Sequence, residues 1–256
     1  MFPINKVIIF KKKLEMKKLT IAYSLLMLIH TSLFAQVDSL NSVNVHKKNL
    51  PKLFIVPSLL VVSGMIIKES KYRESIQDWV QTSRWRTNTH IDDFIQYAPM
   101  AEMYVADICY SKSKNEVFQQ SKNLIVSQLF TAIIVQSLKM TTNVTRPNGA
   151  SHSFPSGHTS VAFTGATALY LEYRDSNPFL AYSGFGFSTA TGILRVTNNK
   201  HWASDVLVSA GIGMLSAQLT WYINPLKNWK PFKSSKIAIY PIINGFDSSA
   251  GLCMVF

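Results

Sequence analysis

Six apolar stretches, at 53–67, 94–109, 124–138, 159–171, 180–194 and 206–223, divide this 256-residue chain and leave it few architectures. Most run nearer to fifteen residues than to the twenty or so that an independent bilayer span requires. Tilted spans, half-buried helices and the interior helices of a bundle all fit such lengths. Composition narrows the surroundings: only 16% of residues are charged, against roughly a quarter in soluble domains, which points to a chain lying in or against a membrane. The formal charge of +12 suits nucleic acid, an anionic membrane surface or an anionic substrate. Nucleic acid fits least, because the lysines are dispersed among apolar runs and no nucleic-acid motif is present. Cys109 and Cys253 stand far apart at no metal or redox spacing, and nothing in their context demands a bridge.

Residues 1–35 read as a targeting segment. An apolar run at 20–34 follows Lys11, Lys12, Lys13, Lys17 and Lys18 and ends at Leu33-Phe34-Ala35, the layout of a signal peptide. An uncleaved anchor helix is the alternative, and Met16 competes with Met1 as the start; on every one of these readings the chain is exported. Residues 36–52 are polar and read as a linker. The stretch 68–93 is charged and aromatic, with Trp79, Trp85, Arg84 and Arg86. It suits a surface-lying amphipathic helix at a headgroup interface and, equally, an ordinary solvated loop. Lys227, Lys230, Lys233 and Lys236 follow the last apolar stretch and favour a cytoplasmic end there, hence a site facing outward. That parity requires one early stretch not to cross. The expected one is 94–109, which carries Gln96, Glu102 and Asp107. The tail, 226–256, reads as a basic linker and a small β-hairpin turning at Asn244-Gly245.

Three short blocks carry chemistry. In the first, Lys139 closes an apolar helix and Arg146 lies seven residues later, beside Pro147. A flexible ammonium and a planar guanidinium can bracket one phosphate, although such a pair alone is more often a solvated flank. In the second, Pro155-Ser156-Gly157-His158 runs straight into the apolar helix at 161–171. Free amides at a helix N-terminus favour an anion, Gly157 lets the backbone approach an oxygen, and His158 can donate a proton. Taken alone, Ser156 is equally well a helix cap and His158 a surface residue. In the third, Arg195 precedes His201, and Asp205 follows four residues after that histidine. On one helical face Asp205 would accept the His201 Nδ1 proton and leave Nε2 free to attack. A capping Asp with an exposed His is the bland reading, and no further ligand sits at metal spacing. Together the blocks supply three cations, two histidines and a carboxylate, an inventory for holding a phosphate dianion and attacking its phosphorus without a metal.

These blocks resemble the signature of the type 2 phosphatidic acid phosphatase superfamily, which includes bacterial class A acid phosphatases and vanadium haloperoxidases. The pattern K-x6-R-P is matched by Lys139, Arg146 and Pro147, and P-S-G-H by Pro155 through His158. The third, S-R-x5-H-x3-D, is complete apart from Leu194 in place of the serine. The resemblance covers roughly 53–223. It implies an all-α fold, a bundle of about six core helices, mostly membrane-embedded, with residues 53–225 as the catalytic domain. It also implies catalytic roles. His201 would form a phosphohistidine, Asp205 would orient it, and His158 would protonate the leaving group. Lys139, Arg146, Ser156, Gly157 and Arg195 would hold the phosphate, with no metal and no cofactor. His152 matches nothing in the pattern and reads as a loop residue.

The expected substrate is a lipid phosphate at the periplasmic face of an inner membrane: lipid A phosphate, polyprenyl diphosphate, phosphatidate or phosphatidylglycerol phosphate. A soluble periplasmic acid phosphatase of broad specificity is the first alternative. A vanadate-dependent haloperoxidase is less favoured because the chain is short for it. A non-catalytic anion-binding membrane protein would have no use for the His201–Asp205 pair.

Overall fold

In the computed structural model the described residues are 50–109, 112–222, 236–244 and 247–255. Residues 1–49, which carry the expected signal or anchor and most of the expected linker, lie outside them, as do Lys227, Lys230 and Lys233. Among the described residues eight helices follow one another: α1 Leu50–Glu69, α2 Tyr72–Thr82, α3 Ile91–Ile95, α4 Ala98–Ile108, α5 Val117–Thr142, α6 Gly157–Tyr173, α7 Pro178–Thr197 and α8 Ala203–Tyr222. A separate C-terminal unit contains β1 Lys236–Asn244 paired antiparallel with β2 Asp247–Val255, with Lys236 opposite Val255 and Asn244 opposite Asp247.

Helix lengths differ from the apolar runs that announce them. The run 124–138 lies inside a 26-residue helix, α5, that continues through Lys139 to Thr142. Its polar ends are helical because nothing breaks them before Asn143, which stops the helix in the left-handed region at φ 44°. Among the described residues α5 is the one helix long and apolar enough to cross a membrane alone. The pair Leu53–Glu69 and Tyr72–Thr82, bent by 90°, passes the same test only when joined. The stretch 94–109 is not one element. Pro99 opens α4, as proline suits a first helical turn, so the chain divides into α3 and the 11-residue α4. A helix of that length rises only about 16 Å, short of a hydrocarbon core of about 30 Å. The charged stretch after α1 takes the helical course as α2, and residues 83–90 run on as a loop.

α6 is the central helix. Twelve of its 17 residues are buried, among them Thr164, Gly165, Ala166, Thr167 and Ala168. Small side chains let its neighbours come close. A β-carbon on Gly213 of α8 would strike the Ser160 carbonyl oxygen and sit 2.9 Å from the Thr164 amide nitrogen of α6. Between α5 and α6, polar side chains find partners: the Thr131 and Thr164 hydroxyls meet at 2.9 Å, and Gln128 donates to the Val161 carbonyl at 3.2 Å. One apolar cluster, Met103, Leu124, Leu169 and Tyr173, fills one end. A second, Val135, Phe154, Val208 and Ile212, lies beneath the loop before α6. Rigid backbone on both sides of Gly213 makes its replacement costly. Gly213→Ala is expected to destabilise the bundle by about 1–3 kcal/mol, read as a lowered thermal midpoint in detergent; an unchanged midpoint would contradict this packing.

Candidate functional site

The three blocks meet at one end of the bundle, each at a helix terminus. Lys139 lies in the last turn of α5, and its Nζ donates to the His152 carbonyl at 2.9 Å. His152 Nδ1 in turn lies 3.1 Å from the Lys139 carbonyl. His152 is thus the loop residue the sequence suggests, held at φ 58°, and it pins the base of the lysine. Arg146 sits in the tight loop that follows, where the Gly149 amide donates to the Arg146 carbonyl at 3.0 Å and the Arg146 amide to the Ala150 carbonyl at 2.7 Å.

Ser156 occupies the N-cap of α6 with an extended backbone, but its hydroxyl does not cap the helix. It meets the Thr159 hydroxyl at 3.0 Å, while the Ser156 amide donates to Ser209 Oγ of α8. Ser209 donates onward to the Asp205 carbonyl, tying the second block to the third. At Gly157 a β-carbon would meet no atom within 4 Å, so there is open space beside the start of α6.

The third block departs from its expected geometry. His201 is not helical; it lies in the turn before α8, and Asp205 falls in that helix's first turn. The histidine Nδ1 is 3.7 Å from Asp205 Oδ2, too long for a hydrogen bond. The same oxygen instead takes the Ser153 hydroxyl and, at 3.2 Å, the Trp202 amide. An acidic residue three positions into a helix naturally reaches back to the first free amide, and here that amide competes with the imidazole. Both side chains are withdrawn from solvent: His201 is 1% exposed and Asp205 fully buried. Trp202 braces the turn, donating from Nε1 to the Thr145 carbonyl at 2.8 Å, with the Arg73 guanidinium 4.1 Å from its ring centroid.

Two residues of the site lie outside all three blocks. Asp92 and Asp93 of α3 face the cations. Asp92 Oδ2 accepts from Arg195 Nη1 at 2.5 Å and lies 3.6 Å from Lys200 Nζ, while its Oδ1 accepts from Asn198 at 2.9 Å. Asp93 Oδ1 lies 2.8 Å from His158 Nε2 and 3.5 Å from Arg195 Nη1. The available signal was the pair of adjacent carboxylates at the head of an apolar run, in a chain whose site otherwise holds an uncompensated excess of cations. From α2, Gln77 donates to the Val196 carbonyl and to Asn199 Oδ1, at 3.2 and 2.7 Å, and clamps the end of α7.

The electrostatics follow from crowding. Lys139, Arg146 and Arg195 repel one another, and Asp205 attracts Lys139 and Arg146. Burial, then the charge of Arg195, pushes the Arg146 guanidinium down. Burial lowers His201 to about 4 against the pull of Asp205, with Arg195 and Lys139 adding to the effect. His158 is lowered by burial and then by Arg195, against the Asp93 hydrogen bond that draws it back up. Among the described residues no three His, Cys, Asp or Glu side chains converge as ligands for a metal. Two guanidinium groups of the site keep an unpaired donor: Arg146 Nε and Arg195 Nε are buried without hydrogen-bond partners. Such groups favour an anion with several acceptor oxygens. Inorganic phosphate is expected to raise the melting temperature, corresponding to about 2.7 kcal/mol at one hundred times its Kd, and Arg146→Ala to remove most of that rise. A midpoint indifferent to phosphate in both proteins would contradict an anion site.

Comparison with known proteins finds a matching family profile and several similar proteins. Residues 121–229 match the profile of the PAP2 superfamily, and this match takes in all three blocks. The chain is 35% identical over 158 residues to the lipid A 1-phosphatase of Porphyromonas gingivalis, a match covering 60% of this chain and 35% of that relative. It therefore spans about a third of that protein's length. Among solved structures, Aquifex aeolicus LpxE is similar at 21% identity and TM-score 0.47, covering 60% of this chain and 98% of that one. A PAP2-type phosphatidylglycerolphosphate phosphatase from Bacillus subtilis is similar at 17% identity and TM-score 0.44, covering 65% and 94%.

Proposed function

We propose that this chain, with a PAP2 superfamily domain over residues 121–229, is a membrane-bound phosphatase that hydrolyses a lipid phosphate monoester through a phosphohistidine. The observation that carries the reading is a buried histidine, His201, whose charged form is disfavoured by burial and by Arg195 and Lys139, with Arg146 acting on the same Arg195 and Asp205. Lipid A phosphate is the first substrate to test, because the relative from Porphyromonas gingivalis is a lipid A 1-phosphatase. The catalytic domain would run over 53–225, with α5 crossing an inner membrane and the site on the periplasmic face.

In the first half-reaction His201 attacks phosphorus as the neutral imidazole. The P–N bond forms while the P–O bond to the lipid breaks, its electron pair leaving with the oxygen. His158, protonated, supplies that oxygen with a proton. Water then attacks the phosphohistidine, and His158, now neutral, takes a proton from it. Lys139, Arg146, Arg195, the Ser156 hydroxyl and the Gly157 amide hold the three phosphoryl oxygens, whose charge grows in the transition state. Asp205 need not accept the Nδ1 proton in the resting enzyme. A small rotation of the imidazole toward Oδ2 would close the 3.7 Å gap as charge develops on the ring, and apo hydrogen bonds of catalytic groups are often long.

Two results are expected. Phosphate release from lipid A, undecaprenyl diphosphate, phosphatidate and p-nitrophenyl phosphate, assayed in detergent without added metal, should favour one lipid and vanish in His201→Ala. Asp205→Asn should lower kcat by at least about tenfold. Undiminished turnover in His201→Ala would remove the mechanism; hydrolysis of the soluble ester with no lipid preference would favour a broad acid phosphatase.

The pH profile carries the signs of the two histidines. His201 must be neutral, so kcat/KM rises as pH passes upward through about 4. His158 must be protonated, so kcat/KM falls again through a value below 6.5. In kcat the basic limb should lie higher, because a bound phosphate dianion offsets the Arg195 charge that lowers His158. A kcat/KM optimum above pH 8 would contradict these assignments.

A further inference from the structure

We propose that Asp93 is a positioning residue for His158, forming a second carboxylate–imidazole pair that decides which ring nitrogen serves the substrate. The inference rests on the reading of His158 as the acid. Asp93 stands in α3, outside the three blocks and outside the matched residues 121–229. Its Oδ1 is 2.8 Å from His158 Nε2, well inside hydrogen-bond distance, whereas the pair expected from sequence, His201 and Asp205, stands at 3.7 Å. With Nε2 donating to Asp93, only Nδ1 remains for the reaction.

That arrangement suits both halves of the cycle. Charged His158 holds one proton toward Asp93 and delivers the other, from Nδ1, to the departing oxygen. The neutral tautomer left behind keeps its hydrogen on Nε2 and presents a lone pair on Nδ1. The nitrogen that gave a proton to the leaving group therefore takes one from the attacking water, with no ring flip or tautomer exchange between steps. No proton need reach the carboxylate.

Neighbouring groups explain why a carboxylate is required. Arg195 of α7 faces both partners, with Nη1 3.5 Å from Asp93 Oδ1, and its charge opposes protonation of His158. Asp92, beside Asp93, is taken up by Arg195, Lys200 and Asn198. His90 approaches Asp93 from the other side, Nδ1 to Oδ2 at 3.3 Å. Burial works to raise the Asp93 carboxyl, but the bonds with His158 and His90 and the charge of Lys200 outweigh it and keep it ionised.

The test compares esters that need an acid with esters that do not. p-Nitrophenyl phosphate releases a stable phenolate, whereas an alkyl phosphate in detergent must expel an alkoxide and depends on a proton. Asp93→Asn, Asp93→Glu, His158→Ala and the double variant Asp93→Asn/His158→Ala are assayed on both. General-acid help is worth about 10²–10⁴-fold, so His158→Ala should lose that much more on the alkyl ester than on the aryl ester. Asp93→Asn should show the same bias, at least about tenfold, and shift the basic limb of kcat/KM to lower pH. Asp93→Glu, which keeps a carboxylate, should recover part of the loss, and the double variant should be no worse than His158→Ala alone. Equal losses on both esters in Asp93→Asn would assign Asp93 to stability and overturn the inference. So would an Asp93→Asn that leaves the ratio and the pH limb in place while His158→Ala discriminates. A His158→Ala that treats both esters alike would overturn the acid reading itself, and the inference with it.

Discussion

Buried charge has to be balanced, and in this chain the balancing fixes the site. The Arg195 side chain is 5% exposed against an Asp92 side chain that is fully buried. Taking either ion out of water alone would cost several kcal/mol; the pair offsets that cost, with Asn198 and Lys200 at the same carboxylate, while Arg195 Nε keeps a donor without a partner. Asp205, also fully buried, is satisfied by the Ser153 hydroxyl and the Trp202 amide. Each carboxylate comes from an element other than that of the group it serves, α3 for Arg195 and α8 for Ser153. Both ties therefore hold separate segments in register at one end of the bundle.

The rest of the fold serves that convergence. Helices α6 and α8 approach closely because glycines and hydroxyl residues line their contact, as at Gly213 against Ser160. Close approach brings the N-terminus of α6, with Ser156, beside Asp205 and Ser209 of α8. The helix α2 then grips the end of α7 through Gln77, and its Arg73 lies over Trp202, which itself bonds the loop carrying Arg146. Lys139 and Arg195 stand in the last turns of α5 and α7, and Arg146 lies in the connection from α5 to α6, in a turn closed by its backbone bonds to Gly149 and Ala150. Such anchoring lets like charges stand near one another before any anion arrives, the condition for electrostatic preorganisation.

The residues of the candidate site were more legible in the sequence than the residues that support them. Block spacing placed Lys139, Arg146, His158, Arg195, His201 and Asp205 together, because chemistry constrains residue type and loops that converge keep their lengths. The apolar runs announced helices but not their ends: α5 extends past its run since polar residues such as Thr141 and Thr142 bond carbonyls one turn back. The stretch 94–109 looked continuous, and Pro99 divided it. Asp92 and Asp93 carried no spacing signature, because a carboxylate that neutralises an arginine from another helix is specified by the fold rather than by its neighbours in sequence. Asp205 was expected to meet His201 along a helix face; the free amide of Trp202 at the helix start claimed its oxygen first, a local competition invisible to an i,i+4 rule.

The proposed mechanism requires a phosphorus–nitrogen bond at His201. The most direct measurement is to quench the detergent-solubilised enzyme in alkaline SDS during turnover of a phosphate-labelled lipid, then map the label by peptide mass spectrometry. Label is expected on the peptide containing His201, stable to base and lost in acid, and absent from His201→Ala. Label on Ser156 or His158, or turnover with no labelled peptide under conditions that trap other phosphohistidines, would contradict that mechanism.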